Sequence, residues 1–188
     1  MMQNNIVDEN ENNTHKKDKF LSSFYDFASI LVTALLIVFV IFTFGFKISA
    51  ISGESMENTL HNANQVVVKA IPGEIKQGDI VIISQPNAYG KVLIKRVVGV
   101  GGQTISFDPN SSKTIIDGEI IDEPYIKEPM IYSYNMMHET KIPNYKYFVM
   151  GDNRNNSADS RDPNIGLIDE RYIVGKVVFR LGDFKPIK

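Results

Sequence analysis

The chain has 188 residues, 20 Lys and Arg against 22 Asp and Glu, a net charge of -2, and no cysteine. This excludes disulfides, thiolate catalysis and cysteine-based zinc sites. The lack of a Lys/Arg block argues against nucleic acid as a partner.

The length predicts one domain with room for a smaller lobe. Residues 1–26 form an N-terminal tail on the cytoplasmic side. Its first nineteen residues are rich in Asn, Asp, Glu and Lys, lack apolar periodicity, and are expected to be disordered. Residues 27–46 follow without a charge, FASILVTALLIVFVIFTFGF. As a helix this run is about 30 Å long, the thickness of a bilayer's hydrocarbon core. It is apolar on every face, unlike a buried globular helix. It is also longer than the apolar part of a cleaved signal peptide, usually about 7–15 residues. A single uncleaved span is expected. Lys16, Lys17 and Lys19 precede it and Lys47 follows, which favours a cytoplasmic N-terminus and an external C-terminal domain.

Beyond the span the pattern turns to strands. Gln65–Lys69 reads as a strand ended by Pro72-Gly73, and Gly78–Ile83 as a buried one. Pro86–Gly90 is a turn. Val92–Val100 is a third strand, broken by Gly101-Gly102. In residues 104–144, Asp117-Gly118 between short apolar pieces signals a hairpin, and four prolines punctuate the rest. Tyr145–Met150 and Tyr172–Leu181 supply the last strands. The expected architecture is mainly β. An antiparallel catalytic core (47–103 and 145–188) carries a small inserted β lobe (104–144) and follows one N-terminal transmembrane helix.

Three stretches hold candidate chemistry. Ser55 lies nine residues past the apolar run, so within roughly 30 Å of its end along an extended chain. It reads either as a helix N-cap or as a nucleophile that needs a base. Lys95 sits in VLIKRVVGV, where alternation puts Leu93, Lys95 and Val97 on one face and Ile94, Arg96 and Val98 on the other. Apolar neighbours on both faces imply burial, a lowered pKa and a neutral amine able to act as a base. Spacing alone favours instead a lysine that snorkels from an edge strand. Residues 151–161, GDNRNNSADSR, read as a surface loop of Asx-turns or as a hydrogen-bonding buttress for a base. A calcium loop fails, because Arg154 occupies a ligand position and no glutamate follows in register. The histidines His15, His61 and His138 show no ligand spacing, so neither a metal nor another cofactor is expected. His61 remains a conceivable partner for Ser55, without a geometric reason.

In order, the blocks SGESMENTL (52–60), GDIVII (78–83), LIKRVVGV (93–100) and GDNRNNSADSR (151–161) resemble bacterial type I signal peptidases of the S26 family, in their short Gram-positive form. The resemblance implies a serine endopeptidase with a Ser/Lys dyad. Such an enzyme removes signal peptides from exported preproteins after small residues at the first and third positions before the cut. Carried over by motif, Ser55 is the nucleophile and Lys95 the general base. Ser157 would hydrogen-bond and orient the lysine, Asp159 and Arg161 would pair, and Met56, Asp152 and Arg154 are supporting positions. The Ser55 backbone N–H would stabilise the oxyanion. The implied partners are signal peptides of exported preproteins and the lipid bilayer. The implied setting is a monomer in a bacterial cell membrane, with its catalytic domain on the extracellular face. The chain departs from the pattern at Asn58, where proline is usual, and at Gly101 and Gln103. A relative with a vestigial site serving surface-fibre (pilus) assembly is the alternative, and a self-cleaving Ser/Lys repressor a third, disfavoured by the span.

Overall fold

The computed structural model describes residues 2–131 and 139–182, with side chains from Lys19 onward. Residues 132–138 of the inserted region, His138 among them, lie outside the described residues. The chain divides into two units, Met1–Phe44 and Gly45–Lys188.

The first unit is helix α1, Met2–Gly45. Helix takes in the polar tail that was expected to be disordered. Extending a formed helix costs little per residue once it is nucleated, so an apolar helix can carry a polar extension. Lys19–Gly45 is long and apolar enough to cross a membrane, with a mean hydropathy of 2.8 over its most apolar window. None of that window is buried, as befits a helix apolar on all sides and without protein cover.

The second unit is built on two antiparallel sheets. The larger uses β1 (Phe46–Ala50), β2 (Gln65–Lys69), β3 (Ile80–Ile83), β4 (Leu93–Gly99), β9 (Lys146–Met150), β10 (Ile168–Asp169) and β11 (Ile173–Leu181). Their order is β1-β2-β11-β3-β4-β9-β10. The smaller sheet lies in the chain between β4 and β9. It holds β5 (Thr104–Phe107), β6 (Thr114–Ile116), β7 (Glu119–Ile120) and β8 (Thr140–Lys141), in the order β7-β6-β5-β8. Asp117 and Gly118 form the β6–β7 turn, both with positive φ, the geometry of a two-residue hairpin.

The unbroken apolar run of β3 is explained by its two covered faces. Ile80 and Ile82 pack with Ile51, Met56, Leu60, Val66, Val68 and Val177. Val81 and Ile83 pack on the other side with Val97, Tyr147, Val149, Ile165, Ile168 and Ile173. Because Ile51, Met56 and Leu60 belong to the first cluster, the segment around Ser55 is nailed to the core by apolar side chains on either side of the hydroxyl. Alternation on a strand thus positions the chemistry.

Candidate active site

Ser55 lies in a run of turns rather than at the start of an α-helix: Glu57 N–H donates to Glu54 C=O at 3.1 Å, and Leu60 N–H to Met56 C=O at 2.8 Å. Two of its neighbours in this run carry backbone features of their own. Gly53 takes φ +101°, outside the range comfortable for an L side chain, and the Glu57–Asn58 peptide is cis.

β4 brings the second group. It pairs with β3 from Leu93 to Arg96, and with β9 only from Arg96 onward. Lys95 therefore sits where the second partner has just ended. Its side chain is 3% exposed. Its Nζ donates to Ser55 Oγ at 2.7 Å and to the Ile94 carbonyl at 2.9 Å. A lysine snorkelling into water is ruled out by that burial. Desolvation is the main influence on the amine and lowers its pKa from the ordinary 10.5 to about 8. The Asp159 carboxylate works against this, the Arg161 guanidinium with it, and Asp152 weakly against it.

The loop 151–161 holds the Ser55 backbone from behind and acts on Lys95 through the charges of Asp159, Arg161 and Asp152. Asn153 N–H donates to the Ser55 carbonyl at 3.1 Å, and its side-chain amide to the Glu54 carbonyl at 3.2 Å. Gly151 lies against the same carbonyl: an added Cβ would come within 2.4 Å of Ser55 O and 2.3 Å of Ser157 Oγ. Asp159 and Arg161 pair through two bonds of 2.7 Å, and Asp159 also accepts the Gly151 N–H at 3.0 Å. Ser157 departs from its expected role. Its Oγ is buried and makes no hydrogen bond, to Lys95 or to any other described group. Lys95 uses the Ile94 carbonyl instead, an acceptor on its own strand.

Two buried ion pairs underlie this arrangement, and neither partner of Asp152 or Arg154 was evident from sequence. Asp152 accepts from Arg96 Nε and Nη2, each at 2.8 Å, with both side chains at 1% exposure or less. Thr59 Oγ1 donates to the same carboxylate, and Arg96 Nη1 donates to the Gly78 carbonyl at 2.8 Å. The Tyr125 ring covers the Arg96 guanidinium at 3.9 Å. Arg154 is held by Glu123 at 2.6 and 3.0 Å. Arg96 is thus a junction of the serine turns, the lysine strand and the 151–161 loop. The one sequence signal for it was a charged residue at an alternation position among apolar ones. Met56, 1% exposed, serves as a core anchor for the serine. His61 faces Glu57, at 3.8 Å, rather than the serine.

In front of Ser55 and Lys95 lies a cleft of about 320 Å³. One wall is Ser49–Gly53, at the end of β1 and just after it. The other is Lys91–Lys95, the stretch of β4 that lacks a second partner, with the turn before it. Strand edges present free N–H and C=O groups, so an extended peptide can add between these walls.

The family model for signal peptidase, peptidase S26, matches residues 24–182. A signal peptidase I of Bacillus amyloliquefaciens is 32% identical over 177 residues, spanning 89% of this chain and 92% of that protein. Signal peptidase I T of Bacillus subtilis is 34% identical over 195 residues, or 97% and 98%. The crystal structure of a signal peptidase I from Enterococcus faecalis aligns with 55% of this chain and 97% of its own, at 23% identity and a TM-score of 0.45.

Proposed function

The chain belongs to the signal peptidase family, peptidase S26, and from that premise we propose that Ser55 and Lys95 are the dyad of a membrane-anchored enzyme that releases signal peptides from exported preproteins. The observation that carries the reading is the 2.7 Å contact between Lys95 Nζ and Ser55 Oγ, at an amine whose burial favours the neutral form. Neutral Lys95 takes the proton as Ser55 Oγ attacks the scissile carbonyl. The Ser55 N–H, which donates to no described group, stabilises the oxyanion as the tetrahedral intermediate forms. The protonated amine then gives its proton to the leaving amine. In the second half-reaction Lys95, neutral again, activates the water that hydrolyses the acyl-enzyme.

The substrate lies extended in the cleft between Ser49–Gly53 and Lys91–Lys95. The first and third residues before the cut point the same way from an extended chain, toward shallow apolar walls such as Ile51, Met56 and Ile82. Small side chains fit there. Helix α1 anchors the enzyme in the cell membrane, with the N-terminus inside and the catalytic unit on the outer face, as the lysine bias favours.

Ser55→Ala should abolish processing of a model preprotein, and should also abolish covalent labelling by a serine-directed β-lactam-type acylating inhibitor that labels the wild type. Labelling retained without Ser55, or processing retained without it, would refute the assignment.

A further inference from the structure

We propose that Lys91 forms a distal subsite that selects an acidic substrate side chain several residues before the cut; this rests on the dyad and cleft reading above. The lining of the cleft is almost free of charge. Of its thirteen residues only Lys91 and Lys95 can carry one, and Lys95 is buried against Ser55. Lys91 is exposed and makes no ion pair among the described residues. It is therefore the cleft's one ammonium open to a ligand.

Its position follows from the strand. Lys91 is four residues before Lys95, so about 13 Å along an extended backbone. A substrate chain running beside β4 at the same rise brings its fourth to sixth residue before the cut to that point. The cleft also does not stop there. A neighbouring cavity of about 320 Å³, lined by Ser84, Gln85, Pro86, Asn87, Gly90, Lys91 and Val92, shares Lys91 and Val92 with it. A peptide longer than the small-residue subsites require thus has a continuous surface to occupy.

The turn that carries Lys91 is braced from within. The Asn87 side-chain amide donates to the Lys91 carbonyl at 2.8 Å and to the Gln85 carbonyl at 2.9 Å. Asn87 Oδ1 accepts the Tyr89 N–H at 3.0 Å, and the Tyr89 hydroxyl donates to Asp162. Gln85 Oε1 in turn accepts the Asp169 N–H at 2.9 Å. The backbone of Lys91 is fixed while its exposed side chain lines the groove. A carboxylate is the ligand that such a site favours over an amide, and an ammonium it disfavours.

The test uses the full chain in a nonionic detergent. Glutamate is scanned through the second to seventh positions before the cut of a soluble peptide, with glutamine as the reference at each. A solvated ion pair predicts a Glu/Gln ratio in kcat/KM of about two- to fivefold, peaking at one of positions four to six. The ratio should persist in Lys91→Arg, fall to one in Lys91→Met, invert in Lys91→Glu, and shrink toward one in 1 M salt. Because each ratio is taken within one variant, an overall loss of activity does not obscure it. A ratio of one at every position in the wild type would overturn the subsite. So would a preference unchanged in Lys91→Met, or an effect of Lys91→Met confined to substrates in anionic vesicles, which would assign the lysine to lipid headgroups. Absence of cleavage of every peptide would instead tell against the dyad.

Discussion

In its proposed role as the base, Lys95 sets function against stability at one residue. A fall in pKa from 10.5 to about 8 corresponds to about 3 kcal/mol against the folded state. The sign follows from proton binding: the unfolded lysine holds a proton that the folded one releases, so stability rises with pH across this window. The penalty is in full force below pH 8 and gone above about 10.5. Lys95→Met, which keeps the apolar stem and removes the amine, should therefore be inactive yet more stable than wild type at pH 7, by about 1–3 kcal/mol after loss of the two hydrogen bonds. The gap should close as unfolding is measured toward pH 10. A variant less stable at pH 7 would mean that burial does not disfavour the charged amine. Both residues of the proposed dyad were singled out from the sequence, Lys95 as a charge inside an apolar strand and Ser55 through its motif, and their 2.7 Å contact supports the proposal. The Ser157 role was not borne out in geometry, because a motif gives the presence of a hydroxyl and not the direction in which it points.

At the scale of the elements, the site depends on how the 151–161 loop backs the serine turns. Gly151 has no room for a methyl group between Ser55 O and Ser157 Oγ. Gly151→Ala should displace the nucleophile's backbone and lower kcat about a hundredfold, with a smaller change in KM. The buried Arg96–Asp152 pair ties the same loop to β4. Asp152→Ala leaves a guanidinium desolvated and unpaired, and denaturant unfolding should show a loss of about 3–5 kcal/mol. The double variant Asp152→Ala with Arg96→Met should recover part of it, since the orphaned charge is then gone. This pairing was invisible in the sequence: its partners are 56 positions apart, and spacing marks Arg96 only as a residue opposite Lys95. Glu123, which holds Arg154, gave no signal at all, because it lies in a lobe whose prolines obscure any period. The long strands β2, β3, β4 and β11 were readable because alternation or continuous burial leaves a trace. β1 was not, since Phe46 merges with the apolar run before it, and two-residue strands such as β8 and β10 are too short to show a period.

For the whole molecule, the proposed function divides the labour: the apolar helix would find the substrate and the β unit would cut it. Substrates with their own apolar segment would then meet the anchored enzyme on a common surface, where effective concentration is high. A chain beginning at Gly45 should cleave a soluble peptide much as the full chain does, but process a membrane-inserted preprotein in vesicles at least tenfold more slowly at equal enzyme. Equal rates in the two settings would show that α1 does not contribute to encounter. The pattern of twenty uncharged residues made this helix plain from the sequence, whereas helix in the polar tail was unforeseen, since propagation from a neighbour leaves no mark in local composition. The central claim is that one buried amine takes the serine's proton. It is tested most directly by the pH dependence of kcat/KM for a model preprotein in detergent, from pH 5 to 10, in wild type and Lys95→Met. The expected result is a rate that falls tenfold per pH unit on the acid side with an apparent pKa near 8, and no turnover in the variant. A flat profile across that range, or turnover that survives the loss of the amine, would contradict it.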